Sequence, residues 1–114
     1  MIQLCRVYDP PASPAGHAVF VDRLWPRGFK KEAAWWDEWL PEVAPSPELR
    51  RWFGHDPARF AAFADRYRLE LAGPERRETL VRLASYPLLT LAYAAKDPEH
   101  NHARVLREVL SAQA

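Results

Sequence analysis

The apolar positions fall into two kinds of run, one with the two-residue period of strands and one with the spacing of helices. Residues 2–8 predict a first strand, with Ile2 and Leu4, and then Arg6, alternating with Cys5 and Val7. It stops at Asp9-Pro10-Pro11, followed by Ser13-Pro14-Ala15-Gly16, a loop because proline lacks the donor that a sheet needs. Residues 18–24 predict a second strand, and the unbroken Val19-Phe20-Val21 marks a strand covered on both faces. It runs into Asp22-Arg23-Leu24-Trp25-Pro26-Arg27-Gly28, where Pro26 and Gly28 end regular structure. Trp35, Trp36, Trp39 and Leu40 have helical spacing and predict a short helix over residues 30–40, with a break at residues 41–45.

Helix signals follow in close succession. Ser46, with Pro47 and Glu48 behind it, predicts an N-cap and a short helix over residues 47–53. Asp56-Pro57 repeats the signal, and Phe60, Phe63, Ala64, Tyr67 and Leu71 form one stripe of a second helix that stops at Gly73-Pro74. Residues 75–85 predict a helix burying Leu80, Leu83 and Ala84, and residues 88–94 a third strand that is apolar on both faces. Asn101 predicts a cap on a last helix that buries Val105, Leu106, Val109 and Leu110. The expected fold is therefore α/β: a small three-layer domain with a short, mostly parallel sheet of about three to four strands flanked by helices. The helical connection between the second and third strands suits a parallel crossover. A chain of 114 residues fits one domain spanning residues 1–114.

Composition narrows the function classes. Hydrophobic residues make up 48% and charged residues 27%, enough to bury a core and too apolar for a disordered chain. The net charge of +1 gives no basic excess of the kind a non-specific nucleic-acid binder shows, so nucleic acid is a weakly supported partner. Cys5 is the only cysteine, which rules out an internal disulfide and reads as a small residue of the first strand. No apolar run is long enough to span a membrane, and the start lacks the features of a secretory signal, so the expected location is cytoplasmic.

In open parallel sheets, ligands gather at the carboxyl ends of the strands. Arg6, Tyr8 and Asp9 lie at the end of the first strand, Asp22, Arg23 and Arg27 at the end of the second, and Lys96 and Asp97 at the end of the third, with His100, Asn101 and His102 after them. If the strands are parallel, these groups share a rim. Arg6, Arg23 and Arg27 offer planar forks for a phosphate or carboxylate, and Lys96 adds a point charge. Asn101 brings the amides of a helix N-terminus, and Trp25 an aromatic wall. Asp22, Asp97 and His102 are the candidates for orienting the anion or moving protons.

Three readings stay open. The rim binds a small phosphate or carboxylate, with or without catalysis. Alternatively, Trp25, Arg27, Lys30 and Lys31 form a basic, aromatic edge for nucleic acid or a protein. In the third, the charges only pair with one another, as in a structural ion-pair network. His100 and His102 lack the four-residue spacing of a helical metal pair, so no metal is expected. Without a glycine-rich phosphate loop, no cofactor is expected either. The pattern leaves the reaction class and the oligomeric state open.

Arg6-Val7-Tyr8-Asp9, the string from Asp22 to Gly28, Ser46-Pro47-Glu48-Leu49-Arg50 and Thr90-Leu91-Ala92-Tyr93-Ala94-Ala95-Lys96-Asp97 follow one another along the chain, and Asn101-His102-Ala103 and Val105-Leu106 come after them. In these segments the chain resembles the YeaO-like family of bacterial proteins, a domain of unknown function. The resemblance runs over nearly the whole chain and implies a small cytosolic α/β fold. It supplies positions for a site and no activity.

Overall fold

The computed structural model describes residues 1–12 and 16–113 of the chain. Of the predicted proline-rich loop, Ser13, Pro14 and Ala15 lie outside the described residues. The strands are β1 (Ile2–Arg6), β2 (His17–Phe20), β3 (Glu38–Trp39) and β4 (Leu89–Tyr93), and they form one sheet in the order β1-β4-β2-β3. Every pairing is parallel, with Leu91 opposite Leu4 on one side and Val19 on the other. The expectation of an α/β fold with a parallel sheet holds.

Among the described residues, four α-helices complete the fold: α1 (Pro47–Phe53), α2 (Phe60–Leu71), α3 (Arg77–Ala84) and α4 (His102–Ser111). Local chemistry starts α1, α4 and the 3-10 turn Pro57–Arg59 that leads into α2. The Ser46 hydroxyl accepts from the Leu49 amide, the Asp56 carboxylate from the Ala58 amide, and the Asn101 carboxamide oxygen from the Arg104 amide. Each satisfies one of the donors that a helix leaves unpaired at its first turn.

Strand periodicity divides the core into two layers. On one face Val19, Val21, Leu89, Leu91 and Tyr93 meet the helices through Phe63, Tyr67, Leu83, Leu106 and Leu110. Full burial of such side chains contributes roughly 1.5–3 kcal/mol each. On the other face Val7, Phe20 and Ala92 meet Phe29, Trp35 and Trp36. The sheet is covered on both faces, and the second cover is an aromatic segment with one 3-10 turn at Lys31–Ala33.

That segment corrects the helix expected over residues 30–40. After the 3-10 turn the chain runs extended and adds β3 to the edge of β2. The Asp37 amide donates to the Ala18 carbonyl at 2.8 Å and the Leu40 amide to the Phe20 carbonyl at 3.0 Å. The Asp37 carboxylate accepts from the Ala18 amide at 2.8 Å. Tryptophans at helical spacing are also consistent with an irregular segment when each ring has its own anchor. Trp35 donates to the Val7 carbonyl, Trp39 donates to the Asp22 carbonyl, and Trp36 packs on Phe20. Tertiary contacts override the periodicity here.

Candidate functional site

With β2 and β4 side by side and parallel, their carboxyl ends open on one rim, as the strand-end argument requires. A cleft of about 370 Å³ lies there. The segment after β2 gives it Asp22, Arg23, Trp25 and Arg27, and the start of α4 gives it Asn101 and His102. The end of α1 and the residues beyond it give Phe53 and His55, with Arg50 from α1 itself. Tyr8, beyond β1, closes one side.

Asp22 faces inward. Its Oδ2 accepts from the Ala94 amide at 3.3 Å, tying the end of β2 to the end of β4. Its Oδ1 is buried 3.2 Å from His102 Nε2 and has no aligned donor. The reason is that the Nε2 hydrogen is directed to the Val21 carbonyl, at 3.0 Å. A carbonyl only accepts, so neutral His102 is the Nε2–H tautomer and its lone pair sits on Nδ1. The edge of the His102 ring rests on Tyr67, whose buried hydroxyl donates to the Val43 carbonyl. Burial pushes the Tyr67 hydroxyl far above the usual tyrosine range.

The arginines are placed differently. Arg23 donates to the Pro45 and Ala44 carbonyls, both at 3.2 Å, which fixes its guanidinium at the cleft wall. Arg27 sits in a turn closed by the Phe29 amide on the Pro26 carbonyl at 3.2 Å, where Gly28 takes a φ of +77° that a side chain would strain. The Tyr8 hydroxyl donates to the Arg27 carbonyl at 2.8 Å, so the turn is held while the guanidinium stays exposed. Arg50 is likewise exposed. His55 has a φ of +56°, directly after Gly54 at +55°, a left-handed pair that turns the chain after α1 beside the cleft. Trp25 stands at the rim, 36% exposed, with its Nε1 donating to the Phe29 carbonyl at 2.7 Å.

Of the residues predicted from sequence, Asp22, Arg23, Trp25, Arg27, Asn101 and His102 line this cleft. Arg6, Lys96 and Asp97 do not. Arg6 donates to the Ala95 carbonyl, pairs with Asp9 at 3.7 Å and lies over the Tyr8 ring. Asp97 builds the turn into α4, accepting from the Glu99 and His100 amides and pairing with His100 at 2.8 Å. The Glu99 amide and the His100 ring hold its carboxyl below the usual aspartate range. Lys96 is exposed at the start of that turn. Asn101 is buried, its carboxamide occupied by the Asp97 carbonyl and the Arg104 amide. Its contribution to the cleft is the first turn of α4, whose positive dipole end favours an anion.

Arg50 and His55 were missed by sequence reasoning. The available signal was the short helix that begins at Ser46, because a helix packed on the same core brings its end to the same rim.

Comparison with known proteins gives a consistent set. The model of a family described as the inactive DUF488-N3 subclade matches residues 1–114. Uncharacterized protein YeaO of Escherichia coli (strain K12) is 44% identical over 110 residues, which cover 96% of this chain and 96% of that protein. Uncharacterized protein Rv3073c of Mycobacterium tuberculosis (strain ATCC 25618 / H37Rv) is 36% identical over 110 residues, 96% of this chain and 93% of that protein. Uncharacterized protein Mb3100c of Mycobacterium bovis (strain ATCC BAA-935 / AF2122/97) has the same identity and coverage. No solved structure matches.

Proposed function

The chain belongs to the inactive DUF488-N3 subclade and to a YeaO-like family, and from that premise we propose that its cleft binds a small phosphate or carboxylate without turning it over. One observation carries this reading. Arg23, Arg27 and Arg50 line a single cleft, and the carboxylate among its lining residues, Asp22, is turned away into His102 and the Ala94 amide. Among the described residues, neither Arg27 nor Arg50 forms an ion pair. Guanidinium forks match the oxygens of both anions, and the α4 N-terminus adds to the same field. The word "inactive" in the subclade's description favours binding over catalysis.

Titration with inorganic phosphate, followed by amide chemical shifts in NMR, tests the reading. Binding is expected to perturb residues 22–28, 50–55 and 101–103 together. Charge-assisted hydrogen bonds at half-exposed sites are worth about 1 kcal/mol, so Arg27→Ala and Arg50→Ala should each weaken binding roughly fivefold. Unchanged affinity in both folded variants rules the cleft out as the anion site.

A further inference from the structure

We infer that the ligand is a phosphate monoester bearing a planar heteroaromatic ring, the chemistry of a nucleoside monophosphate. The inference rests on the anion-binding reading above and specifies the remainder of the ligand.

The polar side chains that would read a sugar's hydroxyls are already committed. Asp22 Oδ1 is buried, and Asp22 Oδ2 holds the Ala94 amide. The Asn101 carboxamide holds the Asp97 carbonyl and the Arg104 amide. The guanidiniums of Arg27 and Arg50, imidazoles and aromatic faces are left for a ligand. Tyr8 and Trp25 are about equally exposed on the rim, but the Tyr8 ring already carries the Arg6 guanidinium at 4.6 Å, whereas Trp25 is rigidly held. Its indole N–H is bonded to the Phe29 carbonyl, and its ring packs on Trp36 at 5.3 Å and edge-on to Trp39 at 5.5 Å. Pro26, with its fixed φ, separates Trp25 from Arg27, so a ring platform and an anion fork stand next to each other on one rim. Each helps with a different part of a molecule that joins a ring to a phosphate. His102 lines the same cleft, and its Nδ1 lone pair has no protein partner among the described residues, so it suits the amino group of a base. At about 370 Å³ the cleft falls within the range of small-molecule sites.

The test compares inorganic phosphate, ribose 5-phosphate, AMP and short oligodeoxythymidylates by calorimetry on the wild-type chain, Trp25→Ala and Trp25→Phe. Stacking on an aromatic side chain is worth about tenfold in affinity, so AMP should bind about ten times more tightly than ribose 5-phosphate. Read as the ratio of AMP affinity to ribose 5-phosphate affinity within each variant, that margin should vanish in Trp25→Ala and be mostly kept in Trp25→Phe. Equal affinity for AMP and ribose 5-phosphate, with phosphate still bound, overturns this inference and spares the anion site. Affinity that rises with oligonucleotide length overturns it in favour of a strand-binding edge. Failure of every phosphate to bind overturns the anion site as well.

Discussion

Replacing Asp22 by asparagine tests how the cleft is built, because a carboxamide must set a donor beside either the Ala94 amide or His102 Nε2. The carboxylate offers one oxygen to the Ala94 amide at 3.3 Å and places the other 3.2 Å from His102 Nε2. Asparagine has a single acceptor oxygen. If that oxygen keeps the Ala94 amide, the NH2 group lies beside a ring nitrogen whose hydrogen is directed to the Val21 carbonyl, so two donors crowd together with no acceptor between them. Relief requires the proton to move to Nδ1, and the Val21 carbonyl then loses the hydrogen bond it accepts at 3.0 Å. If the amide turns the other way, the Ala94 N–H is left facing a donor. Either arrangement sets a buried donor against a donor where the carboxylate set an acceptor beside one, a cost of about 1–3 kcal/mol. For a domain of this size that corresponds to a fall in Tm of roughly 4–12 °C. Thermal unfolding gives the magnitude, and long-range 1H–15N spectra of the histidine rings give the mechanism. The Asn variant should lose stability, shift His102 towards Nδ1–H, or do both. Asp22→Ala removes the donor conflict and should leave the ring as Nε2–H. An Asn variant with wild-type Tm and an unchanged His102 tautomer would refute the coupling between these two side chains.

Two further outcomes follow from groups outside the cleft. Tyr67→Phe deletes the donor to the buried Val43 carbonyl and should cost about 1–3 kcal/mol in a urea melt, with little change in the m-value; a variant as stable as wild type would mean that this carbonyl is satisfied another way. The hydrogen bonds from Arg82 hold the Glu38 carboxyl below its ordinary value of 4.5, against a smaller opposing effect of burial and with help from His17. A lowered folded-state pKa stabilises above the unfolded value and is lost as pH falls through the folded one, so Tm should drop as the solution is acidified below about pH 4.5. Arg82→Gln should flatten that acid limb by about 1 kcal/mol or less, given the exposure of the pair, and an acid limb as steep in the variant would assign it to other carboxylates.

What could be read from the chain followed the range of the interaction involved. Caps act over three residues, so Ser46, Asp56 and Asn101 announced their helices, and α1 ends at the predicted Phe53. Continuous apolar runs identified β2 and β4 because a strand covered on both faces needs apolar residues at every position. The tryptophans were ambiguous, since Trp35, Trp36 and Trp39 are anchored by carbonyls and rings distant in sequence. The same limit applied to the site. Asp22, Arg23, Trp25, Arg27, Asn101 and His102 reach the cleft because sheet topology alone brings their segments together. Lys96 and Asp97 lie at the same strand end, yet the turn that Asp97 forms with Glu99 and His100 carries them off it. Side-chain direction beyond a strand is set by that turn, which strand order does not specify.

An aspartate brought beside a histidine suggests an acid–base pair, and the geometry here argues for a different use. A general base must come within hydrogen-bond reach of the proton it removes. Asp22 Oδ1 is shielded by His102, and its other oxygen is engaged with the backbone of β4's end, so the carboxylate serves to hold β2, β4 and α4 in register. His102 in turn commits its Nε2 hydrogen to the Val21 carbonyl, which orients the ring and leaves one acceptor nitrogen. A cleft built this way presents a ligand with guanidiniums, a rigid indole and a fixed imidazole, and with no carboxylate free to take a proton. Such a set is what the proposed binding of an anion and a ring calls for, and it fits a subclade described as inactive better than it fits a working acid–base centre.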